Sequence, residues 1–329
     1  MERVIEIDDR ATGLRAVIAI HSTALGPAAG GVRTRAYPTF ADAVADAGAL
    51  ARAMTAKCAL AGLDAGGGKA VVWDHGDWDR EAGFERLGEA IEALGGAFRT
   101  AGDLGTTAAD LAAMARRCRF VHTDEVELAA SVARGLAGCV DACLARRGAR
   151  WDGLRVALQG AGAIGSACAR ALAARGARLM VADLDPARAA SLAAELGGNV
   201  VAPGDILAAE VDLVVPCAAG GTLTAAAVAA LRAWAVVPAA NNAVADADAA
   251  RLLVARRILH VPDLVASAGA VIEGIGRTVM NLMPSAREHL IDALGHIAGH
   301  VVDRSLATAT PAGEVAEALA DARIRPKIV

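Results

Sequence analysis

Residues 154–183 constrain this chain more than any other stretch. Leu154-Arg155-Val156-Ala157-Leu158-Gln159 is an apolar run of buried-strand type that leads into Gly160-Ala161-Gly162-Ala163-Ile164-Gly165 and a helix over 166–175. A second strand follows over 177–183 and ends in an acid, Asp183. A bare GxGxxG is a weak signal. Here a strand precedes it, a helix follows and a carboxylate closes the next strand, which specifies a parallel βαβ unit that binds a dinucleotide. The glycines let the backbone approach a diphosphate at the helix N-terminus, and Asp183, eighteen residues past Gly165, can accept from both ribose hydroxyls. An acid there repels a 2′-phosphate, so NAD is expected over NADP. The expected contacts are Gly160, Gly162, Ala163, Ile164, Gly165, Asp183 and Leu184.

Further βα units extend this sheet. Strands over 211–217, 235–240 and 258–263 run into Cys217-Ala218-Ala219-Gly220-Gly221, Asn241-Asn242 and Asp263. Ligands of open α/β sheets bind outside the carboxyl ends of the strands, which makes an asparagine pair there suggestive. Helices over 285–304 and 311–322 close the chain.

A length of 329 residues exceeds what one hydrophobic core usually organises, so a second domain is expected. The N-terminal part has strands over 15–20 and 32–36, joined by a turn with three glycines, Gly26, Gly30 and Gly31. Apolar periodicity gives a helix over 41–54, which places Lys57 just beyond its end. Asp42, Asp46 and Arg52 fall off its apolar face. Gly66-Gly67-Gly68 reads as a turn before Lys69 and the strand 70–73. Next come a helix over 81–94, a strand over 98–101, and Asp103, which either caps the following helix or serves a site. A long helix over 129–147 completes the first half.

The lysines stand out. The chain has three, Lys57, Lys69 and Lys327, against thirty arginines. An exposed cation can be either residue, but a site that needs a compact charge, or an amine able to lose its proton, requires lysine. Two of the three lie twelve residues apart around the glycine run.

Other functions are disfavoured. A net charge of −4, with no basic stripe interleaved with aromatics, provides no field for nucleic acid. The six cysteines contain no CxxC pair and no metal-ligand set, so no metal is expected. Mean hydropathy is +0.40, yet no apolar run approaches the ~18 residues that span a bilayer. With no apolar signal-peptide core either, the expectation is a cytoplasmic chain acting on a small molecule, with neither nucleic acid nor membrane as partner.

Together the motifs resemble the glutamate/leucine/phenylalanine/valine dehydrogenase superfamily, most closely its short leucine-, phenylalanine- and tryptophan-dehydrogenase branch. The matching segments are GPAAGG with the nearby Arg33, MTAK, AGLDAGGGKAVV, GDLGTT, QGAGAIG, VADLD, PCAAGG, AANN and VPDLVASAG, in family order over about residues 17–275. The resemblance implies an α/β fold of two domains with a cleft between them. An N-terminal α/β substrate domain would span 1–130, joined by a C-terminal helix from about 305–329, and a Rossmann-type NAD-binding domain would span 131–304. It also implies a homo-oligomer, and reversible oxidative deamination of an L-amino acid to a 2-oxo acid and ammonia.

By the same resemblance, Lys57 holds the substrate carboxylate with help from the Gly30-Gly31 backbone. Lys69 activates the water that attacks the imine, and Asp103 moves protons to and from the substrate nitrogen. Cys217, Ala218, Ala219, Asn241, Asn242 and Val132 would border the cofactor. A general base must be partly deprotonated near neutrality, so Lys69 must titrate well below an ordinary lysine. Burial and the cation of Lys57 are the expected causes.

Departures concentrate around the substrate. The family usually has Asn-Ala-Gly-Gly where this chain has Ser267-Ala268-Gly269-Ala270, so Ser267 replaces a substrate-binding asparagine. Gly102 replaces an acid or amide before Asp103, residues 124–127 replace a glycine- and proline-rich loop, and Val132 stands at a nicotinamide-site threonine. Ala29 would line the side-chain pocket, with Ala101 opposite and Met54 of MTAK also in contact. Small walls imply a bulky hydrophobic or aromatic substrate. Two alternatives remain open: a reductase of a modified imine or 2-oxo acid on the same scaffold, and a catalytically silent NAD-binding homologue.

Overall fold

A computed structural model describes residues 1–123 and 128–325, which divide into two compact units. The first comprises 1–123, Ile275–Leu282 and 320–325; the second comprises 128–274 and Met283–Leu319. The chain thus rejoins the first unit from residue 320, not 305, and visits it once more in between. No described helix is long and apolar enough to cross a membrane.

The first unit is built on a mixed sheet. Strand β1 (Arg3–Asp9) pairs antiparallel with β2 (Leu14–Ser22), and β2 pairs antiparallel with β5 (Gly66–Trp73). Strands β3 (Ala28–Ala29) and β4 (Val32–Arg35) run parallel to β5, and β6 (Phe98–Arg99) runs parallel to β3. Both faces are covered, so successive residues of one strand enter different cores. Val17, Ala19 and Val71 meet Ala43, Ala47 and Ala51 of helix α1 (Phe40–Leu60). Ile18, Ile20, Ala70 and Val72 meet Phe84, Leu87, Ile91 and Met114 of helices α2 (Arg80–Glu92) and α3 (Ala108–Ala115). Each fully buried Leu, Ile or Phe there contributes roughly 1.5–3 kcal/mol.

Two local readings are corrected. Helix α1 does not end at Met54 but runs through Lys57 to Leu60, with Gly62 at φ +77° just beyond its cap. The apolar stripe fades early because the last turns bury Thr55, Lys57 and Cys58 instead. The Gly66-Gly67-Gly68 run is not a turn but the first part of β5. A Cβ on Gly67 would lie 2.1 Å from the Thr55 amide nitrogen and 2.5 Å from the Ala51 carbonyl oxygen. Close packing of α1 on β5 overrides the poor strand propensity of glycine. Thr39 starts α1 with a capping box to Asp42.

The second unit is a parallel sheet in the order β12-β11-β10-β7-β8-β9. Its strands are β7 (Arg155–Gln159), β8 (Arg178–Ala182), β9 (Asn199–Val200), β10 (Leu213–Pro216), β11 (Ala235–Val236) and β12 (Leu259–His260). The order reverses beside β7, which creates the topological switch point where such sheets bind ligands. Helix α4 (Ala129–Arg147) leads in, and α5 (Ala163–Ala173), α6 (Pro186–Leu196), α7 (Ala225–Ala230), α8 (Ala247–Ala255) and α9 (Asp263–Ala266) connect or follow the strands. Helix α10 (Gly269–Thr278) precedes α11 (Pro284–Thr308), which packs along α4, and α12 (Ala312–Ile324) ends the described chain. The prolongation of α11 to Thr308 against α4 keeps that segment with the second unit. Strands β11 and β12 are shorter than expected, and Pro238 and Pro262, which lack an N–H for the ladder, follow them closely.

Candidate active site

In the first unit, the sheet and α1 assemble a buried charge cluster. Lys69, on β5, is 5% exposed, and its Nζ lies 3.0 Å from Oδ2 of Asp103. Arg33, on β4, donates from Nε to the same oxygen at 3.0 Å and from its other arm to Oδ2 of Asp46 at 3.2 Å. Tyr37 donates its hydroxyl to that Asp46 oxygen at 2.5 Å. Asp103 is therefore not the cap of α3. Thr107 caps that helix, with Asp110 completing a capping box.

The physical causes set Lys69 apart from an ordinary amine. Burial pushes its titration down, Asp103 pulls it back up, and the Arg33 guanidinium pushes it down again, for a net lowering. The cation that weighs most on it is thus Arg33, not Lys57 as the spacing suggested. Burial alone would raise the Asp103 carboxyl, but Lys69 and Arg33 outweigh it and hold it below its usual range. The Tyr37 hydroxyl is pushed well above its usual value by burial and by Asp46.

Lys57 is 7% exposed on the last turns of α1. Arg323 of α12 donates to the carbonyls of Cys58 and Ala59 and pairs with Asp64, which ties down the end of the helix that carries Lys57. Gly30 and Gly31 lie where a side chain could not. A Cβ on Gly30 would fall 1.9 Å from the Gly68 carbonyl oxygen and 3.6 Å from Met54 Cγ, and one on Gly31 would fall 2.8 Å from Asp103 Cβ. Ala29 is buried on β3 in register with Gly67 and Arg99, and the half-buried Ala101 accepts the Val32 N–H through its carbonyl. Met54, Gly30, Gly31, Lys69 and Asp103 are thereby brought together around the first turns of the glycine strand.

In the second unit, the three glycines of the loop have three different reasons. Gly160 sits at φ +102°, and a Cβ on Gly165 would fall 1.9 Å from the Gly160 carbonyl oxygen. Gly162 has φ −69°, and a Cβ there would meet nothing within 4 Å. Nothing inside the protein requires glycine at 162, so the space faces outward, at the N-cap of α5 where backbone N–H groups favour an anion. The helix begins at Ala163, so Ala163, Ile164 and Gly165 form its first turn.

Asp183 is anchored beside this loop. Its Oδ2 accepts the Ala161 N–H at 2.6 Å and its Oδ1 accepts the Asp185 N–H at 2.8 Å, and these bonds hold its carboxyl below the usual range. A carboxylate accepts about four hydrogen bonds, so each oxygen keeps capacity for a hydroxyl. Leu184 beside it is 91% exposed. These features fit a dinucleotide: an open backbone cradle for the diphosphate, an acceptor for ribose and an exposed apolar surface.

Across the carboxyl edge, Cys217 donates its N–H to the Gln159 carbonyl, and Ala218 packs on Gly160. Ala218, Ala219, Asn241 and Asn242 are exposed. Asn242 adopts φ +51° and donates its N–H to Asp263. Ser267 is buried, donating to the Asp263 carbonyl at 2.7 Å and lying 3.4 Å from Asn241 Oδ1. His260, nearby in sequence, has a buried Nε2 and is lowered to about 4 by burial, so it is neutral at working pH. Val132 lies in the first turn of α4, 2% exposed, a core position. The replaced loop at 124–127 lies outside the described residues.

Sequence reasoning missed Asp46 and Tyr37. Asp46 lies off the apolar stripe of α1, a place that gives no sign that it anchors Arg33. The one available signal was that Tyr37 is the only tyrosine in the chain.

Two family models match: the Glu/Leu/Phe/Val dehydrogenase dimerisation domain over residues 2–120 and the Glutamate/Leucine/Phenylalanine/Valine dehydrogenase domain over 187–312. Valine dehydrogenase of Streptomyces albus is 39% identical over 295 residues, covering 83% of this chain and 78% of its own. The chain belongs to this dehydrogenase family. L-tryptophan dehydrogenase of Nostoc punctiforme, another relative, is 32% identical over 277 residues, covering 82% of this chain and 78% of its own. The crystal structure of that enzyme superposes with a TM-score of 0.87 over 98% of this chain and 95% of its own, at 29% identity. This dehydrogenase is therefore a two-domain α/β enzyme with a Rossmann-type domain, an amino acid dehydrogenase acting on CH–NH2 donors.

Proposed function

We propose that this dehydrogenase converts an L-amino acid with a bulky hydrophobic or aromatic side chain to its 2-oxo acid and ammonia, reversibly and with NAD. The observation that carries the reading is the buried Lys69–Asp103 contact at 3.0 Å, a base and a proton carrier on adjoining elements. NAD, when bound along the Gly162 cradle, supplies the hydride acceptor. Lys57 holds the substrate carboxylate, helped by the Gly30-Gly31 backbone. Asp103 takes a proton from the substrate nitrogen. Neutral Lys69 takes a proton from the water that adds to the substrate imine, and the tetrahedral adduct releases ammonia. A lysine whose titration is lowered by burial gives up its proton more readily and can serve as the base; an arginine cannot.

The small side chains of Ala29 and Ala101 support a bulky substrate, and so do relatives named valine and L-tryptophan dehydrogenase. The chain works as a homo-oligomer, supported by the dimerisation-domain description of its first match. A second reading, a reductase of a modified imine or 2-oxo acid, is favoured by Ser267, whose hydroxyl is engaged with Asp263 where the family places an amide.

The test scans L-amino acids with NAD by the absorbance of reduced cofactor. Lys69→Ala is expected to cut kcat by about 10³-fold. Retained turnover in that variant would overturn the assignment of the base. Near-equal kcat/KM for alanine and phenylalanine would remove the bulky-substrate claim. NAD binding without turnover of any proteinogenic amino acid would favour the second reading.

A further inference from the structure

In the charge cluster, one oxygen of Asp103 takes both cations. Lys69 Nζ and Arg33 Nε each sit 3.0 Å from Oδ2, and the side chain is 29% exposed. Arg33 is itself fixed. It is 19% exposed on β4, its second arm is held by Asp46 of α1, and Asp46 is held by Tyr37. A planar guanidinium grips two carboxylates from arms fixed in one fork, whereas an ammonium is a point charge on a flexible stem with no such fixed geometry.

We propose that Arg33 is a positioning residue for proton transfer: locked by Asp46 and Tyr37, it pins Oδ2 of Asp103 against Lys69 and leaves Oδ1 as the oxygen that exchanges protons with the substrate nitrogen. The proposal rests on the dehydrogenase reading and deepens it. Without Arg33, Asp103 would pair with Lys69 alone. The carboxylate could then rotate and present either oxygen, and Lys69 would keep its proton more tightly. Arg33 therefore does two things at once: it aims the carboxylate, and it offsets the pull of Asp103 that would hold Lys69 protonated.

The groups that bear on this cluster are few. Asp103 faces Lys69 from β5 and Arg33 from β4; Arg33 faces Asp46 from α1; Asp46 faces Tyr37, whose ring also has the Arg35 guanidinium 5.1 Å from its centroid. Asp46 also pulls Lys69 upward, though less than Asp103 does.

The chain has three lysines, so selective ¹³Cε-lysine labelling yields few enough NMR signals to follow Lys69, assigned by its loss in Lys69→Ala. Arg33→Gln is expected to move the Lys69 titration upward by about one pH unit, a tenfold change in proton affinity. In the same variant the acidic limb of kcat/KM moves in the same direction and kcat falls about tenfold, with the amino acid KM changed less than about threefold. Arg33→Lys restores the titration toward wild type but not the rate, because an ammonium lacks the fixed fork that holds both carboxylates. An unchanged Lys69 titration and acidic limb in Arg33→Gln would overturn the proposal, as would a loss expressed wholly in KM, which would make Arg33 a substrate ligand. If Arg33→Gln does not fold, full wild-type kcat in Arg33→Lys overturns it on its own. A wild-type enzyme that turns over no amino acid sinks the dehydrogenase reading instead, and the NMR titrations still decide whether Arg33 controls Lys69.

Discussion

The chain carries two glycine signatures, and they exist for opposite reasons. In the first unit, a Cβ on Gly66, Gly67 or Gly68 would fall 1.9, 2.1 or 2.7 Å from Ser22 O, Thr55 N or the Phe98 ring. Every one of those spaces is filled by the protein itself. In the second unit, Gly160 and Gly165 answer to local backbone demands, but Gly162 faces open space. The first run draws β5 and α1 so close that Lys69 and Lys57 are carried by adjoining elements. The second leaves the Cβ position of Gly162 open. A glycine run beside a lysine and a GxGxxG look alike as text, yet the first is a packing device and the second holds a glycine that packing does not explain.

The largest effect follows from the filled side. Gly67→Ala places a carbon against backbone atoms of α1 that cannot rotate away, and it is expected to destabilise the first unit by on the order of 3 kcal/mol or more. Chemical denaturation checks this, and a variant with the wild-type midpoint would break the comparison. Gly162→Ala is expected to behave in the opposite way. Its φ of −69° suits any residue, so stability should fall by no more than about 1 kcal/mol, the difference between Gly and Ala at an N-cap. The NAD KM should rise about tenfold, because a methyl group occupies the diphosphate side of the loop. If Gly162→Ala instead unfolds the protein with unaltered cofactor affinity in the folded fraction, the outward-facing reading fails. Between these lies Asp183→Ser. It removes the charge that repels a 2′-phosphate, so the preference for NAD over NADP in kcat/KM should drop by about tenfold or more. An unchanged ratio would assign cofactor choice to another group.

How much of this was legible in the sequence differs between the units for a physical reason. The dinucleotide unit is local: strand, loop, helix and acid are consecutive, so residues 154–183 could be read directly, and only the start of α5 was placed three residues late. The charge cluster is not local. Lys69, Asp103, Arg33, Asp46 and Tyr37 come from four segments, and their contacts depend on pairing β4 and β5 and on laying α1 over them. Resemblance supplied Lys69 and Asp103, but no pattern along the chain joined Asp46 to Arg33. The glycine strand was misread because propensity is a one-dimensional signal, whereas the need for glycine at 66–68 arises from atoms contributed by residues 22, 55 and 98.

The smallest effect is expected at Lys69, the proposed base. Lys69 is nearly fully buried, and its titration is lowered, so the folded state binds its proton less tightly than the unfolded chain does. The sign follows from linkage. Above the ordinary lysine value both states are neutral at this position and no penalty exists; as pH falls toward the lowered folded value the unfolded chain gains protons first, and folding is opposed. Below that value the penalty is constant. Lys69→Met removes this penalty but leaves Asp103 with Arg33 as its counter-charge, so the two effects oppose each other. Removing one partner of a buried ion pair costs about 3–5 kcal/mol when the other charge is left unpaired. With Arg33 still on Asp103, the net change in stability at pH 7 is expected to be smaller, within about 1 kcal/mol. Relative to wild type, Lys69→Met should gain stability as pH falls from about 11 to 7, measured by urea midpoints at both ends. A loss of several kcal/mol at pH 7 would mean that Arg33 alone does not hold Asp103, and that the charge cluster, like the glycine strand beneath it, is part of what holds the first unit together.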